Sequence, residues 1–292
     1  MNNSIQFQNV FKKYGDKTIF EDISFSLSKG ITFLVGRNGA GKSTLIKLAV
    51  GLESPDKGTI KLFGHNIQQK LSIASKRKLG VQLQNDAFLR AVKVKEYLQL
   101  YKELFENNEK CKYSSDYIYQ LLDIKSLENN YAYALSGGEK KRLSLMLSII
   151  GNKQLVILDE PTAGIDVEIK DKIINVIKYL KDQHVTLLIS SHDLEDFFAI
   201  SDHILMVDRG IIFCGNKQAF AQKYDYRYKV YSETKIPDYK DILVCNYFSE
   251  RTLYSNNKQK LLKYFSEDQI TPTNIKDVYQ IALKLGGIPS HE

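Results

Sequence analysis

The chain has no run of about 18 consecutive apolar residues, which excludes a membrane-spanning helix anywhere in its 292 positions. Its start, Met1-Asn2-Asn3-Ser4-Ile5-Gln6-Phe7, lacks the basic-then-apolar order of a signal peptide, so the protein is expected to stay in the cytoplasm. Cysteine is scarce. Cys111, Cys214 and Cys245 are odd in number and far apart, which excludes a disulfide framework and a metal-ligand or redox spacing and fits a reducing compartment. No internal repeat or low-complexity tract is present. What remains is 43% apolar and 26% charged, enough for a full core in one large domain or two smaller ones. The net charge of +7 is spread over dispersed Lys and Arg residues, so it reads as a solvated surface rather than a nucleic-acid or lipid interface.

The most informative run is Gly36-Arg37-Asn38-Gly39-Ala40-Gly41-Lys42-Ser43-Thr44. The spacing G-x-x-x-x-G-K-[S/T] turns backbone N–H groups onto a nucleotide's phosphates, sends a lysine to the outer ones and offers a hydroxyl to Mg2+. Ile31-Thr32-Phe33-Leu34-Val35 before it is a buried-strand pattern, and residues 45–50 after it are helical in character. The loop therefore ends at a helix N-terminus, whose unpaired N–H groups suit an anion.

Alternation predicts strands at 5–10 and 23–28, and glycines bound another at 58–64, with a further one at 79–84. From Val94 to about Leu127 the spacing becomes helical, marking an insert. Buried-strand runs return at 154–158 and 185–189 around a helical stretch at 167–180, so strand–helix–strand units predict a parallel sheet. A hairpin is expected at 204–213 with Arg209-Gly210 in its turn. Beyond residue 220 the character shifts: 224–231 alternates aromatic and charged residues as an exposed strand would, and a helical tail follows from about Asn274.

Leu155-Val156-Ile157-Leu158-Asp159-Glu160 is an apolar strand ending in two carboxylates, at the end of a sheet where ligands bind. Asp159 is placed to hold Mg2+, directly or through water, and Glu160 to orient or deprotonate an attacking water. Leu135-Ser136-Gly137-Gly138-Glu139 supplies a hydroxyl and glycine N–H groups ahead of a helix expected at 143–150, a second device for an anion.

In the order phosphate loop, LSGGE-x-x-R, LVILDEP, these runs resemble the motifs of ATP-binding cassette (ABC) ATPases, and the resemblance covers residues 5 to about 220. It implies a P-loop NTPase (RecA-like) α/β core with an antiparallel β subdomain, a helical ABC-specific insert and a small C-terminal α+β appendage. The implied domains are 1–220, with the helical subdomain at about 85–150, and 221–292. By the same resemblance Tyr14 stacks on adenine. Gln84 senses Mg2+ and γ-phosphate, with Gln82 as a rival. Asp166, in Ala163-Gly164-Ile165-Asp166, lies on the loop that crosses a dimer interface, and His192 contacts γ-phosphate. Gly36, Asn38, Gly39, Ala40, Gly41, Lys42, Ser43 and Thr44 cradle the ATP phosphates, while Ser43, Gln84 and Asp159 hold Mg2+. Glu160, His192 and Lys42 carry the chemistry, and Ser136, Gly137 and Gly138 act on a facing subunit's nucleotide. Glu139, where many relatives carry Gln, is the one visible departure, and Glu is also found there in the family.

The resemblance implies the ATPase subunit of a transporter, peripheral on the cytoplasmic face of the membrane, with a separate transmembrane permease and a second cassette, identical or paralogous. The stretch 271–279, TPTNIKDVY, partly matches the P-S-L-E-D-V-F ending of exporter ATPase subunits, so export is favoured over import. The alternative is a non-transport ABC ATPase acting on nucleic acid or ribosomes; the coiled coils and doubled cassettes of such relatives are missing, so a nucleic-acid partner is disfavoured. A regulatory module without turnover would normally lose Glu160 or His192, and both are present.

Overall fold

In the computed structural model, which describes residues 4–68, 72–84, 87–106, 113–232, 242–247 and 250–286, the chain opens as a hairpin. β1 (Ile5–Tyr14) and β2 (Lys17–Ser26) turn at Gly15 and Asp16, with Tyr14 opposite Lys17. Ile5, Phe7 and Val10 are buried, and the Phe7 and Phe25 rings stack with centroids 4.5 Å apart. Pairing runs beyond the alternating stretches to the turn. The register shifts around Asn9 and Asp22, both at left-handed φ (47° and 53°) and joined by Asn9 Nδ2 donating to Asp22 Oδ1 at 2.8 Å. These bulges break the two-residue period without ending the ladder, which is why alternation stops short of the strands' true ends.

β3 (Ile31–Val35) is buried at every position and leads into α1 (Lys42–Val50). β4 (Lys57–Leu62) pairs antiparallel with β1 and β5 (His65–Asn66) with β4, giving a four-stranded sheet of order β2-β1-β4-β5. After α2 (Ile73–Arg77), β6 (Leu79–Gln82) ends before Gln84. The helical insert contains α3 (Val94–Phe105) and α4 (Ser115–Leu121), then short 3-10 turns at Lys125–Leu127 and Ala132–Ala134. α5 (Gly137–Ile149) begins six residues earlier than the helix expected at 143–150. The reason is a capping box: Ser136 Oγ accepts from Glu139 N at 3.3 Å and Glu139 Oε2 accepts from Ser136 N at 2.7 Å, which outweighs the poor helix propensity of two glycines.

β7 (Leu155–Asp159), α6 (Val167–Asp182) and β8 (Thr186–Ser190) form a strand–helix–strand unit, with Ile173, Val176, Ile177 and Leu180 as the buried stripe of the helix. α7 (Leu194–Ile200), β9 (His203–Val207) and β10 (Ile211–Asn216) follow, the last two turning at Arg209 (φ 55°) and Gly210. The six-stranded sheet has order β10-β9-β3-β8-β7-β6 and is parallel except for the β9–β10 hairpin. Successive side chains on its central strands enter two cores. Phe33, Val156, Leu158, Leu187 and Ile189 pack towards α5 and α6, whereas Leu34, Ile157 and Leu188 pack towards α1 and the antiparallel sheet. Burial on both faces is why these strands read as continuous apolar runs.

α8 (Lys217–Lys223) runs across residue 220, so the boundary drawn there falls inside a helix. The strand expected from Tyr224 starts four residues later. Tyr224 closes α8 with its ring buried and its centroid 5.0 Å from that of Phe220, because the aromatic finds the core before the sheet begins. β11 (Tyr228–Ser232), β12 (Leu243–Tyr247), β13 (Glu250–Ser255), α9 (Lys258–Leu262), β14 (Thr271–Pro272) and α10 (Ile275–Gly286) follow among the described residues; the third sheet has order β12-β13-β11-β14. α10 lies on α7, β10 and β12, and its Ile281, Ala282 and Leu283 join the core that contains Phe33. Cys111 lies outside the described residues, and Cys214 and Cys245 are free thiols. Among the described residues no helix is long and apolar enough to cross a membrane.

Asp277 fixes α10 to β11 and β13. Its carboxylate accepts from Lys229 Nζ at 2.9 and 3.2 Å, Tyr254 OH at 3.1 Å and Asn274 N at 2.8 Å. Asp277→Ala removes the carboxylate that pairs with Lys229, whose side chain is only 12% exposed. The expected loss is about 3 kcal/mol of stability, read as a lower urea midpoint.

Candidate functional site

The phosphate loop lies between the end of β3 and the start of α1, and two glycines make its path possible. At Gly36 a Cβ would stand 2.4 Å from the Val207 carbonyl oxygen; Gly41 sits at φ 103°, where a Cβ would stand 2.6 Å from the Phe20 ring. Only a residue without a side chain passes both points. Lys42, 8% exposed, folds back so that its Nζ donates to the carbonyls of Gly36 at 2.7 Å and Arg37 at 3.2 Å. Burial lowers the lysine's pKa, opposed by the nearby charges of Glu160 and Asp159. Both acceptors are neutral carbonyls, which bind a cation less strongly than an anion does.

The ends of β7 and β8 supply the facing groups. Asp159 and Ser190 are register partners, and Ser190 Oγ donates to Asp159 Oδ1 at 2.5 Å. Glu160, one residue past β7, has left-handed φ of 53°, a conformation that costs a residue with a Cβ about 1–2 kcal/mol. Its amide is held by the Ser190 carbonyl at 3.1 Å and the Ser190 hydroxyl at 3.0 Å. Glu160 Oε2 accepts from His192 N at 3.2 Å, and Oε1, 3.1 Å from His192 Nε2, has no other partner among the described residues. Burial raises the Glu160 pKa, against the lowering influence of His192 and Lys42, so the carboxylate binds a proton more readily than an exposed one. Beyond His192, Lys170 of α6 forms ion pairs with Asp193 and Asp196, tying α6 to the start of α7.

A hollow of 490 Å3 is lined by Asn38, Gly39, Gly41, Lys42, Ser43, Thr44, Gln84, Asp159, Glu160 and His192, so most of the residues singled out from the sequence meet in one place. Lys17, Ile19 and Arg37 line it as well and were not singled out. Lys17 and Ile19 arrive because the β1–β2 turn at Gly15-Asp16 sets them beside the loop; no motif marks them, though the turn directly after Tyr14 was a usable signal. A larger hollow of 680 Å3, lined by Lys178, Lys181, Asp202, His203 and Lys217 among others, contains none of these groups and lies on another part of the surface.

The remaining candidates stand elsewhere. Ala40 is buried in the core and Gly36 contributes its carbonyl to Lys42. Tyr14, 44% exposed as a residue, hydrogen-bonds Glu53 and sits beside Thr44, with Lys12 Nζ 5.1 Å from its ring centroid. Of the two glutamines, Gln82 points into the core, with Nε2 3.5 Å from the Lys141 carbonyl, and only Gln84 reaches the hollow. Ser136 and Gly137 are exposed at the tip of α5, Gly138 is half-buried beside Ile169, and Asp166 caps α6 by accepting from Ile169 N at 2.9 Å; none of the four lines this chain's own hollow.

Ser43, Gln84 and Asp159 offer a hydroxyl, an amide oxygen and a carboxylate on one hollow, the hard oxygen donors that Mg2+ takes alongside phosphate oxygens. Among the described residues no group of three or more His, Cys, Asp or Glu side chains is arranged to hold a metal. A single carboxylate next to a phosphate cradle is the usual Mg2+ pattern in nucleotide sites, so the residues fit that ion. Chemically the arrangement can grip a polyphosphate and set a buried carboxylate at its outer end.

The family described as ABC transporter matches residues 20–163. The chain is 34% identical over 211 residues to the Nod factor export ATP-binding protein I of Sinorhizobium fredii, covering 71% of this chain and 61% of that protein. It is 32% identical to the linearmycin resistance ATP-binding protein LnrL of Bacillus subtilis, covering 73% of this chain and 69% of that protein. Among solved structures, an ATP-binding subunit of an ABC transporter superposes with TM-score 0.68 at 18% identity, over 75% of this chain and 92% of that one. A dimeric bacterial ABC transporter cassette does so with TM-score 0.64 at 17% identity, over 73% and 98%. With a relative at 32% identity spanned over more than two thirds of its length, and with the same fold in solved cassettes, the chain belongs to the ABC transporter family and is one of its ATPase cassettes.

Proposed function

We propose that this cassette pairs head to tail with a second cassette, closes on two Mg2+-ATP, and powers export through a separate transmembrane partner while sitting on the cytoplasmic face of the membrane. The observation that carries this reading is the division of the binding groups. Lys42, Ser43, Gln84, Asp159, Glu160 and His192 line one hollow, while the exposed Ser136 cap of α5 and Asp166 lie outside it, free to meet another subunit's nucleotide. Support for export comes from relatives described as Nod factor export and linearmycin resistance proteins, and from the exporter-like 271–279 stretch.

In this reading Lys42 and the loop amides hold the phosphates, and Thr44 and Asn38 support the loop beside them. Glu160 accepts the proton of the attacking water, a role its raised proton affinity suits. His192 donates to a γ-phosphate oxygen while its main chain steadies Glu160. Ser43, Asp159 and Gln84 would hold Mg2+, which would supply neutralisation of phosphate charge. Tyr14 presents an exposed ring for adenine.

Vesicles reconstituted with the cassette and its co-purified membrane partner test the assignment. The expected result is ATP-dependent movement of cargo away from the side bearing the cassette; ATP-dependent accumulation on that side would contradict export, and hydrolysis stimulated by nucleic acid instead of by the membrane partner would contradict transport.

A further inference from the structure

Ser190 ends β8, is 0% exposed, and stands opposite Asp159 in the parallel register. Its hydroxyl makes two bonds whose directions are fixed by chemistry. The Glu160 N–H can only donate, so Ser190 Oγ accepts from it at 3.0 Å; the hydroxyl's single proton is then free for Asp159 Oδ1, 2.5 Å away. Among the described residues this is the hydrogen bond that the Asp159 carboxylate receives. One buried hydroxyl therefore does two things at once: it fixes the rotation of the acid at the end of β7 and holds the amide of the left-handed residue that follows it. With Oδ1 engaged, Oδ2 is the oxygen left for another partner. His192 lies two residues further on, so the same strand end also sets the group that touches the Glu160 carboxylate.

We propose that Ser190 is a positioning residue for hydrolysis, orienting Asp159 towards the metal and Glu160 towards the water; this rests on the roles given to those two acids above. No motif marks it, since Ser190 falls just past the apolar run expected at 185–189.

The test compares wild type with Ser190→Ala, Ser190→Thr and Ser190→Cys, using Mn2+ as the metal probe and a non-hydrolysable ATP analogue, with Mn2+ binding followed by electron paramagnetic resonance and nucleotide binding measured separately in EDTA. Outer-sphere partners of a metal ligand typically carry about 10- to 100-fold in metal affinity, so S190A is expected to weaken Mn2+ by that factor and lower kcat similarly, with nucleotide affinity in EDTA within about twofold. S190T keeps the donor and is expected to bind Mn2+ within about threefold of wild type. Normal Mn2+ affinity in S190A would overturn the proposal, as would equal losses with and without metal, which mark a merely structural serine. If S190A does not fold, S190C, with its weak S–H donor, takes its place, and the same two outcomes overturn the idea. Wild-type protein that binds no Mn2+-nucleotide would instead overturn the nucleotide-site reading itself.

Discussion

Glu160→Gln lowers ATP turnover by about 10²- to 10⁴-fold, the usual contribution of a positioned general base, while leaving ATP bound. The substitution keeps the shape of a side chain that is 5% exposed and retains an oxygen for the His192 amide, so folding is expected to be unaffected. What disappears is the buried carboxylate. On the proposed head-to-tail pairing, in which hydrolysis would let the two cassettes part, the variant is expected to elute in ATP as a dimer of two copies during sizing chromatography; an ATP-loaded monomer at micromolar protein would remove the homodimeric form of the sandwich. Wild type carries a matching pH signature. Burial raises the Glu160 pKa, so the acid limb of kcat/KM is expected at a midpoint above the ordinary value of 4.5, and a Glu160→Gln protein has no such limb. The sign follows from the chemistry: the base works deprotonated, so activity falls as pH drops through its pKa.

Lys42→Ala removes the one loop cation that is 8% exposed and aimed along the loop's inner surface. A preorganised charge on a transferring phosphoryl group is worth roughly 3 kcal/mol, so turnover is expected to fall about 10²- to 10³-fold, with ATP affinity falling as well. The nucleotide-free fold is expected to tolerate the change. Burial already lowers the lysine's pKa, which means that the fold disfavours its charge, and only two hydrogen bonds to loop carbonyls are lost. A thermal melt alongside the activity assay separates the two effects: normal turnover would overturn the role of Lys42, whereas a large loss of melting temperature would show that the residue serves the fold.

The parts of the site that could be read from the chain are those whose chemistry is local. The phosphate loop depends on glycines at fixed spacing, and its strand and helix flanks are contiguous with it. The acid pair is the end of an apolar run. His192 is less legible, since a histidine after a strand is ordinary by itself; it gained meaning only from the order of the motifs around it. Ser136 was legible as a cap, yet its helix was placed too late because two glycines after a serine look like loop when the reciprocal bond from Glu139 is left out. Tyr224 was misassigned to an exposed strand for a related reason. Aromatic and charged residues alternate there, but whether the tyrosine faces solvent or core depends on Phe220, one turn earlier in the α8 that it closes, and on Phe213 of β10.

Lys17, Ile19 and Ser190 carried no motif for a deeper reason, whereas Arg37 lay in the loop run itself and was passed over as a variable position. Lys17 and Ile19 come to the hollow through the bulged register of the first hairpin, and Ser190 meets Asp159 only because β8 lies beside β7 with these two residues in step. By itself the sequence determined which chemical groups were available and the local turns that present them, because those depend on neighbours a few residues away: a phosphate cradle, two acids, a capped helix and a parallel α/β core. Only the tertiary structure decided which glutamine faces the hollow, how α10 is anchored to β11 and β13 by Asp277, and which hydroxyl steadies the acids, because strand order and register bring together residues 23 or more positions apart and no local pattern encodes them.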